Sequence, residues 1–277
     1  MIAETGVDDC MANAPLSEAR ITSLIVESFA RDFGEVIEMD VAIVGAGPAG
    51  LTAARLLAGD GLNVSVFERK LSVGGGIWGG GMLFPRIVVQ ETAREIMEEI
   101  GIRLEAHDGY YVADSVETVA KCTSAAIDAG VKIWVGVSVE DVMIRENDEV
   151  CGVVINWGAV EYAGLHVDPL ALSAKCVIDA TGHAAEIARG VLRKIPGAKF
   201  STEDGGVPGE RPMHAEIGEG ALVGNTQEVY PGLVVAGMAA NAVFASPRMG
   251  PIFGGMFLSG CRAAEVARDI IARRGSA

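Results

Sequence analysis

The 277-residue sequence predicts a single α/β domain over residues 1–277, built around a parallel sheet, and three observations support this. The short apolar run "VAIVG" is followed by the glycine turn "GAGPAG", an apolar helix pattern and a second apolar run, "NVSVFE". Two later runs, "AKCVIDATGH" and "GLVVAGM", are typical of buried strands. Half of the residues are hydrophobic, which is enough for a sizeable core. Strand, glycine turn, helix and strand in this order predict a Rossmann-like dinucleotide-binding fold.

The elements of the first half follow in chain order. Residues 17–34 carry apolar side chains at helical spacing and predict an amphipathic N-terminal helix. Residues 39–70 predict the βαβ unit with its phosphate-binding turn. Residues 88–101 and 114–129 are predicted to be helices.

The second half is predicted to add strands, a loop and a closing helix. Residues 131–157 predict strands joined by a hairpin at the turn "ENDE", and we expect an inserted β-rich lobe beside the parallel sheet. Residues 196–228 are rich in Gly, Pro and charge and predict a long mobile loop. The segment "GGMFLSGCRAAEVARDIIARR" predicts a helix whose last arginines complement the C-terminal end of its dipole.

Net charge and composition restrict the expected partners. A charge of −15 disfavours nucleic acid, because such a surface repels a polyanion over most of its area. No apolar run reaches about 18 residues, so no membrane span is expected. Five cysteines without a CxxC spacing, and a first segment without a signal-peptide pattern, indicate reduced thiols and a cytoplasmic location.

The glycine turn has the residues that a bound dinucleotide requires. Gly45 allows the turn, Gly47 lets the backbone approach a pyrophosphate, and Gly50 lets helix and strand pack closely. Glu68 ends the second strand, where a carboxylate accepts hydrogen bonds from ribose hydroxyls. Six glycines within residues 74–85 indicate that the chain runs close to a ligand there.

A second group of residues combines two histidines with one acid. His166 precedes Asp168 by two positions, and His183 follows a predicted strand whose end faces the ligand crevice. The pair Asp168–Pro169 is also a good helix start, in which Asp168 is an N-cap. One carboxylate with one or two imidazoles instead suits Fe(II), Mn(II) or Zn(II). Such a site is unsaturated and needs further ligands from substrate, water or a neighbouring subunit.

The glycine turn alone does not distinguish NAD from FAD. Flavoproteins of this architecture usually carry an Asp after a C-terminal "AG" strand, whereas Met238 and Ala239 stand at that place here. This disfavours the alternative of an FAD-dependent oxidoreductase, which would be yellow as purified. A third hypothesis is a non-catalytic NAD-binding protein or a single-use sulfur donor.

Five longer motifs carry a resemblance to a known family. They are "GAGPAGL", "VFERKLSVGGGIWGGGMLFP", "INWGAVEYAGLHVDPLAL", "DATGH" and "GMAANAVFASPRMGPIFGGMFLSG". Nearly the whole chain after residue 15 resembles the thiamine thiazole synthase family in its archaeal, sulfide-using form. The resemblance implies a flavoprotein-related Rossmann-like fold in which NAD is a substrate and Fe(II) is the metal. NAD loses nicotinamide, and the ADP-ribose reacts with glycine and sulfur to give an adenylated thiazole carboxylate, the thiazole precursor of thiamine.

The resemblance also bears on the source of sulfur. Eukaryotic relatives take sulfur from their own cysteine, in the loop that matches residues 163–169, and are spent after one turnover. That position is His166 here, and Cys151 and Cys176 fall in predicted strands. The resemblance therefore implies free sulfide and repeated turnover. Because the unperturbed pKa of histidine lies near neutrality, His166 is our candidate for a catalytic acid or base.

The family resemblance also implies roles for further residues, each at the position that matches the family. The resemblance implies that Asp168 and His183 are iron ligands, shared between the two subunits of a dimer in a homo-oligomer, an octameric ring of dimers. It implies that Arg248 binds the carboxylate of glycine, as a guanidinium does well. The implied nucleotide-contacting positions are Gly45, Gly47, Ala49 (Ser in many relatives), Gly50, Glu68, Arg69, Gly76, Val139, His166, Val167, Asp168 and Met238.

Overall fold

The computed structural model describes residues 16–145 and 148–275 and divides the chain into two compact units. The first unit ends at Ile37 and contains one helix, α1 (Glu18–Gly34), as predicted for residues 17–34. The side chain of Ser17 caps this helix by accepting the backbone N–H of Arg20. Apolar side chains such as Ile25 remain exposed along α1. Among the described residues, no helix is long and apolar enough to cross a membrane.

The second unit begins at Glu38 and contains all the strands of the described residues. In chain order they are β1 (Glu38–Val44), β2 (Val64–Glu68), β3 (Arg86–Gln90), β4 (Glu105–His107), β5 (Tyr110–Asp114), β6 (Lys132–Val135), β7 (Val137–Ile144), β8 (Val150–Trp157), β9 (Leu170–Asp179), β10 (Glu228–Tyr230) and β11 (Leu233–Val235). The helices that follow α1 are α2 (Pro48–Gly59), α3 (Arg94–Glu99), α4 (Ser115–Asp128), α5 (Gly158–Ala163), α6 (Glu186–Lys194), α7 (Ala215–Asn225), α8 (Met238–Val243) and α9 (Gly254–Gly275).

Two sheets organise the second unit. The main sheet has the order β10-β11-β9-β1-β2-β6, in which β1 pairs in parallel with β2 and β9. The antiparallel hairpin β7–β8 joins it through β9. The smaller sheet has the antiparallel order β3-β5-β4. These observations confirm the Rossmann-like α/β fold and its additional β-rich lobe; the predicted hairpin turn at Glu146 and Asn147 lies outside the described residues.

Helix α2 joins β1 to β2 and packs against both α4 and α9. Its residues Leu51 and Leu57 are fully buried, as is Phe257 of α9. The predicted βαβ unit, the helix at 114–129 and the closing helix are confirmed, since each is formed over nearly the expected residues.

The helix predicted at 88–101 is wrong at its beginning. Residues 86–90 form β3, and only Arg94–Glu99 are α-helical. The run "RIVVQ" is rich in β-branched residues, and its backbone pairs along its whole length with β5. Pairing with a distant strand therefore overrides a weak helical pattern.

Two predictions about irregular segments are also corrected. Asp168 does not cap a helix, because residues 170–179 form strand β9, whose first residues pair antiparallel with β8. The loop predicted at 196–228 contains helix α7. That helix lies close to the segment before Met249: a Cβ added at Gly218 would sit 2.5 Å from the carbonyl oxygen of Pro247.

The carboxyl ends of four parallel strands meet at one edge of the main sheet. Backbone hydrogen bonds continue past their last residues: Gly45 N–H donates to Phe67 O (2.8 Å), and Ala180 N–H donates to Val44 O (2.9 Å). Ala236 N–H donates to the carbonyl oxygen of Asp179 (2.9 Å). The turns that follow β1, β2, β9 and β11 are thereby held side by side, at the edge where ligands bind in open α/β sheets.

Candidate functional site

A cavity of about 1290 Å³ opens at this edge of the sheet. The predicted nucleotide-contacting residues in its wall are Gly45, Gly47, Ala49, Glu68, Arg69, Gly76, Val139 and Met238. His183 and Arg248 also line it. A cavity of this volume is large enough for a dinucleotide, since ordinary ligand pockets measure roughly 300–1,000 Å³.

The three glycines of the turn have distinct structural roles. Gly45 has φ +104°, and a Cβ there would sit 2.4 Å from the carbonyl oxygen of Ala180. A Cβ at Gly50 would sit 2.1 Å from the carbonyl oxygen of Gly45. A Cβ at Gly47, which is the N-cap of α2, would meet no atom within 4 Å. Gly45 and Gly50 are therefore required by packing, whereas Gly47 keeps the helix N-terminus open to the cavity.

The acid at the end of β2 is held by two backbone groups. Glu68 is buried, and its carboxylate accepts the N–H of Ala46 (3.0 Å) and the N–H of Lys70 (2.9 Å). The next residue, Arg69, pairs with Glu186 at the start of α6 (2.7 Å). Glu68 is thus fixed beside the glycine turn with lone pairs left over for ribose hydroxyls.

The start of α8 also contributes to the cavity wall, through Gly237 and Met238. Met238 and Ala239 are buried directly after Gly237, whose backbone N–H donates to Ser259 Oγ (2.7 Å). These two residues place no carboxylate at the position where the sequence comparison with flavoproteins expects one.

A buried acid organises the turn that carries His183. The carboxylate of Asp179 accepts the N–H and hydroxyl of Thr181 (3.0 and 2.6 Å) and the N–H of Ala188 (2.9 Å). The hydroxyl of Thr181 in turn accepts the N–H of Glu186, the first residue of α6 (2.8 Å). Burial raises the pKa of Asp179, although the hydrogen bonds from Thr181 and Ala188 oppose this. His183 thus projects from a short turn between two anchored elements.

His183 and Arg248 are brought together by a residue that the sequence did not single out. Glu210 lies between them, with its oxygens 2.7 and 2.8 Å from Nδ1 of His183. The second of these oxygens is also 3.9 Å from Nε of Arg248. No local pattern marked Glu210, because it stands in a predicted loop and 27 residues separate it from His183.

Two further arginines of the cavity wall were also not predicted. Arg189 and Arg193 both project from α6. Arg189 donates to the carbonyl oxygens of Ala184 (3.0 Å) and Val207 (3.1 Å). Arg189 therefore connects the turn of His183 to the segment that carries Glu210. The only sequence signal for Arg189 and Arg193 is their spacing of four residues, which places them on the same face of a helix.

The loop with His166, Val167 and Asp168 does not line this cavity. All three residues are exposed, and the loop is held where Asn156 Nδ2 donates to the carbonyl oxygen of Val167 (3.0 Å). Across residues 16–145 and 148–275, no three His, Cys, Asp or Glu side chains lie close enough to hold a metal ion. One chain therefore presents His183 at the cavity and Asp168 elsewhere on its surface.

His183 by itself fits a metal ligand. Its Nδ1 is engaged by a carboxylate, as is common for metal-binding imidazoles, and within the described residues Nε2 makes no hydrogen bond.

The cysteines stand apart from the cavity. Burial raises the pKa of Cys122 and that of Cys176 to about 12, so both thiols are protonated at neutral pH. Burial also raises the pKa of Cys261. None of the four cysteines in the described part of the chain lines the cavity.

The chain is similar in sequence to known proteins over most of its length. The model of the Thi4 family matches residues 22–253. A thiamine thiazole synthase from Methanothrix thermoacetophila is 57% identical over 259 residues, which cover 93% of this chain and 98% of that protein. One from Pyrococcus horikoshii is 54% identical over 256 residues, covering 90% and 96%.

A solved structure shares the whole architecture. The crystal structure of THI4 from Thermovibrio ammonificans superposes with a TM-score of 0.88 and is 46% identical in sequence. The match covers 95% of this chain and 100% of that one. Sequence and fold therefore agree over nearly the same residues.

Proposed function

The chain belongs to the Thi4 family, and from this premise we propose that it makes an adenylated thiazole carboxylate from NAD, glycine and free sulfide with Fe(II), over many turnovers. Identities of 57% to two proteins named thiamine thiazole synthase support an enzyme that forms the thiazole of thiamine. The observation that carries the proposal is one cavity whose wall contains His183 and Arg248 together with the glycine turn and Glu68, which we call the nucleotide cradle. Glu210 contacts both His183 and Arg248.

The cradle supports NAD as the substrate. The open helix N-terminus at Gly47 favours a pyrophosphate, because its free N–H groups and the helix dipole attract negative charge. Glu68 is fixed where it can accept hydrogen bonds from a ribose, which orients the nucleotide along the sheet edge. Loss of nicotinamide would then expose the ADP-ribose to glycine within the same cavity.

Arg248 supports glycine as the second substrate. Its guanidinium lies in the cavity wall and is half exposed, and its contact with Glu210 is long at 3.9 Å. It therefore retains donors for a carboxylate, which a guanidinium binds in a bidentate manner.

His183 of one subunit and Asp168 of its neighbour are the proposed holders of Fe(II). When bound, Fe(II) would supply a Lewis acid that orients substrate groups. The protein's own contribution is to place imidazole and guanidinium at adjacent points of the wall, both in contact with Glu210.

The cysteine distribution supports free sulfide as the sulfur source. The loop 163–169 contains His166 and no cysteine, and the described cysteines lie away from the cavity. A thiol with a pKa near 12 is a poor nucleophile at neutral pH, because the thiolate is the reactive form.

Anaerobic incubation with NAD, glycine, sulfide and Fe(II) tests the proposal. We expect mass spectrometry to detect an adenylated thiazole in amounts that exceed the enzyme, while the intact mass of the protein stays unchanged. Absence of the adenylated thiazole, with iron shown to be bound, would contradict the proposal. A purified protein with a flavin spectrum would instead support an FAD-dependent oxidoreductase.

His166→Asn is expected to lower turnover with sulfide by roughly 100- to 10,000-fold, because the amide of asparagine cannot act as a general acid or base near neutral pH. His166 is exposed in this chain and would reach the reacting groups only in the assembled enzyme. The measurement is turnover under saturating NAD, glycine and sulfide, with NAD affinity as the control. Undiminished turnover would remove His166 as an acid or base.

A further inference from the structure

Glu210 is the best-buried charged group at the junction of the proposed metal and glycine sites. Only 11% of its side chain is exposed, against 55% for each of its two partners, His183 and Arg248. A carboxylate that is so little exposed to water needs hydrogen-bonding or cationic partners, and among the described residues His183 and Arg248 provide them.

The segment that carries Glu210 is anchored on both sides of that residue. Arg211 N–H donates to the carbonyl oxygen of Ser246 (3.1 Å), and Arg248 N–H donates back to Arg211 O (3.1 Å). His214 N–H then donates to the carbonyl oxygen of Arg248 (3.0 Å). Glu210 and Arg248 therefore belong to two short segments that are paired through their backbones.

A third connection links this pair of segments to the turn of His183. Arg189 bridges the carbonyl oxygens of Ala184 and Val207 and so spans the residues that adjoin His183 and those that precede Glu210. Gly209 N–H donates to the carbonyl oxygen of Ala242 (3.0 Å) at the end of α8. Hydrogen bonds on both sides of Glu210 thus hold its carboxylate against the imidazole.

The contact also selects one tautomer of His183. Because carboxylate oxygens accept hydrogen bonds, we assign the proton of the neutral imidazole to Nδ1, the nitrogen that faces Glu210. The lone pair is then on Nε2, which is the nitrogen that a metal ion would use.

We infer that Glu210 is a positioning residue, which holds His183 in the tautomer that binds a metal ion through Nε2 and anchors Arg248 beside it for glycine. This inference rests on the proposed function, because it assigns a metal to His183 and glycine to Arg248. In this role Glu210 would act through His183 and Arg248, the two side chains that it contacts. It couples the two sites, since one carboxylate orients both side chains.

Binding of Fe(II) to the assembled enzyme, without NAD or glycine, tests whether Glu210 prepares His183 for the metal ion. Glu210→Ala is expected to weaken Fe(II) affinity by roughly 10- to 100-fold, as is usual for an outer partner of a metal-binding histidine. Glu210→Gln should weaken it less, because its amide oxygen can still accept the Nδ1–H. Glu203→Gln is the matched control, since Glu203 is an exposed acid of the same segment and its replacement should leave Fe(II) affinity unchanged.

Steady-state kinetics test whether Glu210 anchors Arg248 for glycine. In both Glu210 variants the KM for glycine is expected to rise several-fold, whereas the KM for NAD should stay within about twofold, because the nucleotide cradle does not involve Glu210. A general loss of folding would not separate the two substrates in this way. If Glu210→Ala does not fold, the isosteric Glu210→Gln provides the same comparison.

The possible failures are distinguishable. Unchanged Fe(II) affinity and unchanged glycine KM in Glu210→Ala would overturn the inference and leave the proposed function intact. Failure of the unmodified enzyme to bind Fe(II) would overturn the proposed metal site and, with it, the inference.

Discussion

Mixed assemblies of two inactive variants, Asp168→Asn and His183→Asn, are expected to regain thiazole synthesis. Each variant alone should lose at least about 100-fold in turnover, because outer partners of metal ligands are already worth roughly 10- to 100-fold. If each metal site takes Asp168 from one subunit and His183 from the other, a mixed pair contains one site without any substitution. Random pairing of equal amounts would then restore about a quarter of the normal activity.

This result would depend on the placement of the two residues. The structure puts His183 in the cavity wall and leaves Asp168 outside it, on an exposed loop of the same chain. Turnover of the co-expressed variants, measured against each variant alone, checks the prediction. No recovery in assemblies shown to contain both variants would contradict a metal site that is shared between subunits.

Gly50→Ala and Gly47→Ala are expected to separate the structural from the ligand-binding role of the glycine turn. The new Cβ in Gly50→Ala would lie 2.1 Å from the carbonyl oxygen of Gly45, so the turn must move. We expect a loss of about 2 to 4 kcal/mol in the free energy of unfolding, measured by denaturant titration.

Gly47→Ala is the matched variant, with the same added methyl group and no atom within 4 Å of it. Its stability should fall by at most about 1 kcal/mol, the cost of alanine at an N-cap. Its NAD affinity, measured by calorimetry, should weaken at least about tenfold, because the methyl group occupies the approach of the pyrophosphate. Normal NAD affinity in a folded Gly47→Ala protein would contradict a dinucleotide at this turn.

Sequence patterns were sufficient where the structural signal is local. The βαβ unit of residues 39–70 could be predicted because a buried strand, a turn that needs glycine and an amphipathic helix each have a recognisable pattern in consecutive residues. The same holds for α4, whose apolar spacing and N-cap Asp114 are contiguous. The cradle for a dinucleotide followed from these elements.

Non-local pairing explains the failures. Strand β3 and the start of β9 were mistaken because their conformation depends on β5 and β8. Helix α7 was missed because three glycines in eleven residues obscure its period, and its packing partner, Pro247, is distant in sequence.

The sequence by itself determined the Rossmann-like fold, the glycine turn with Glu68, and the histidine in place of cysteine at position 166. Only the tertiary structure decided that Glu210 meets His183 and Arg248, and that Asp168 lies outside the cavity wall of its own chain. The physical reason is the range of the interactions. Backbone conformation and helix capping involve neighbours in the chain, whereas a carboxylate meets an imidazole 27 residues away only after the intervening segments have packed.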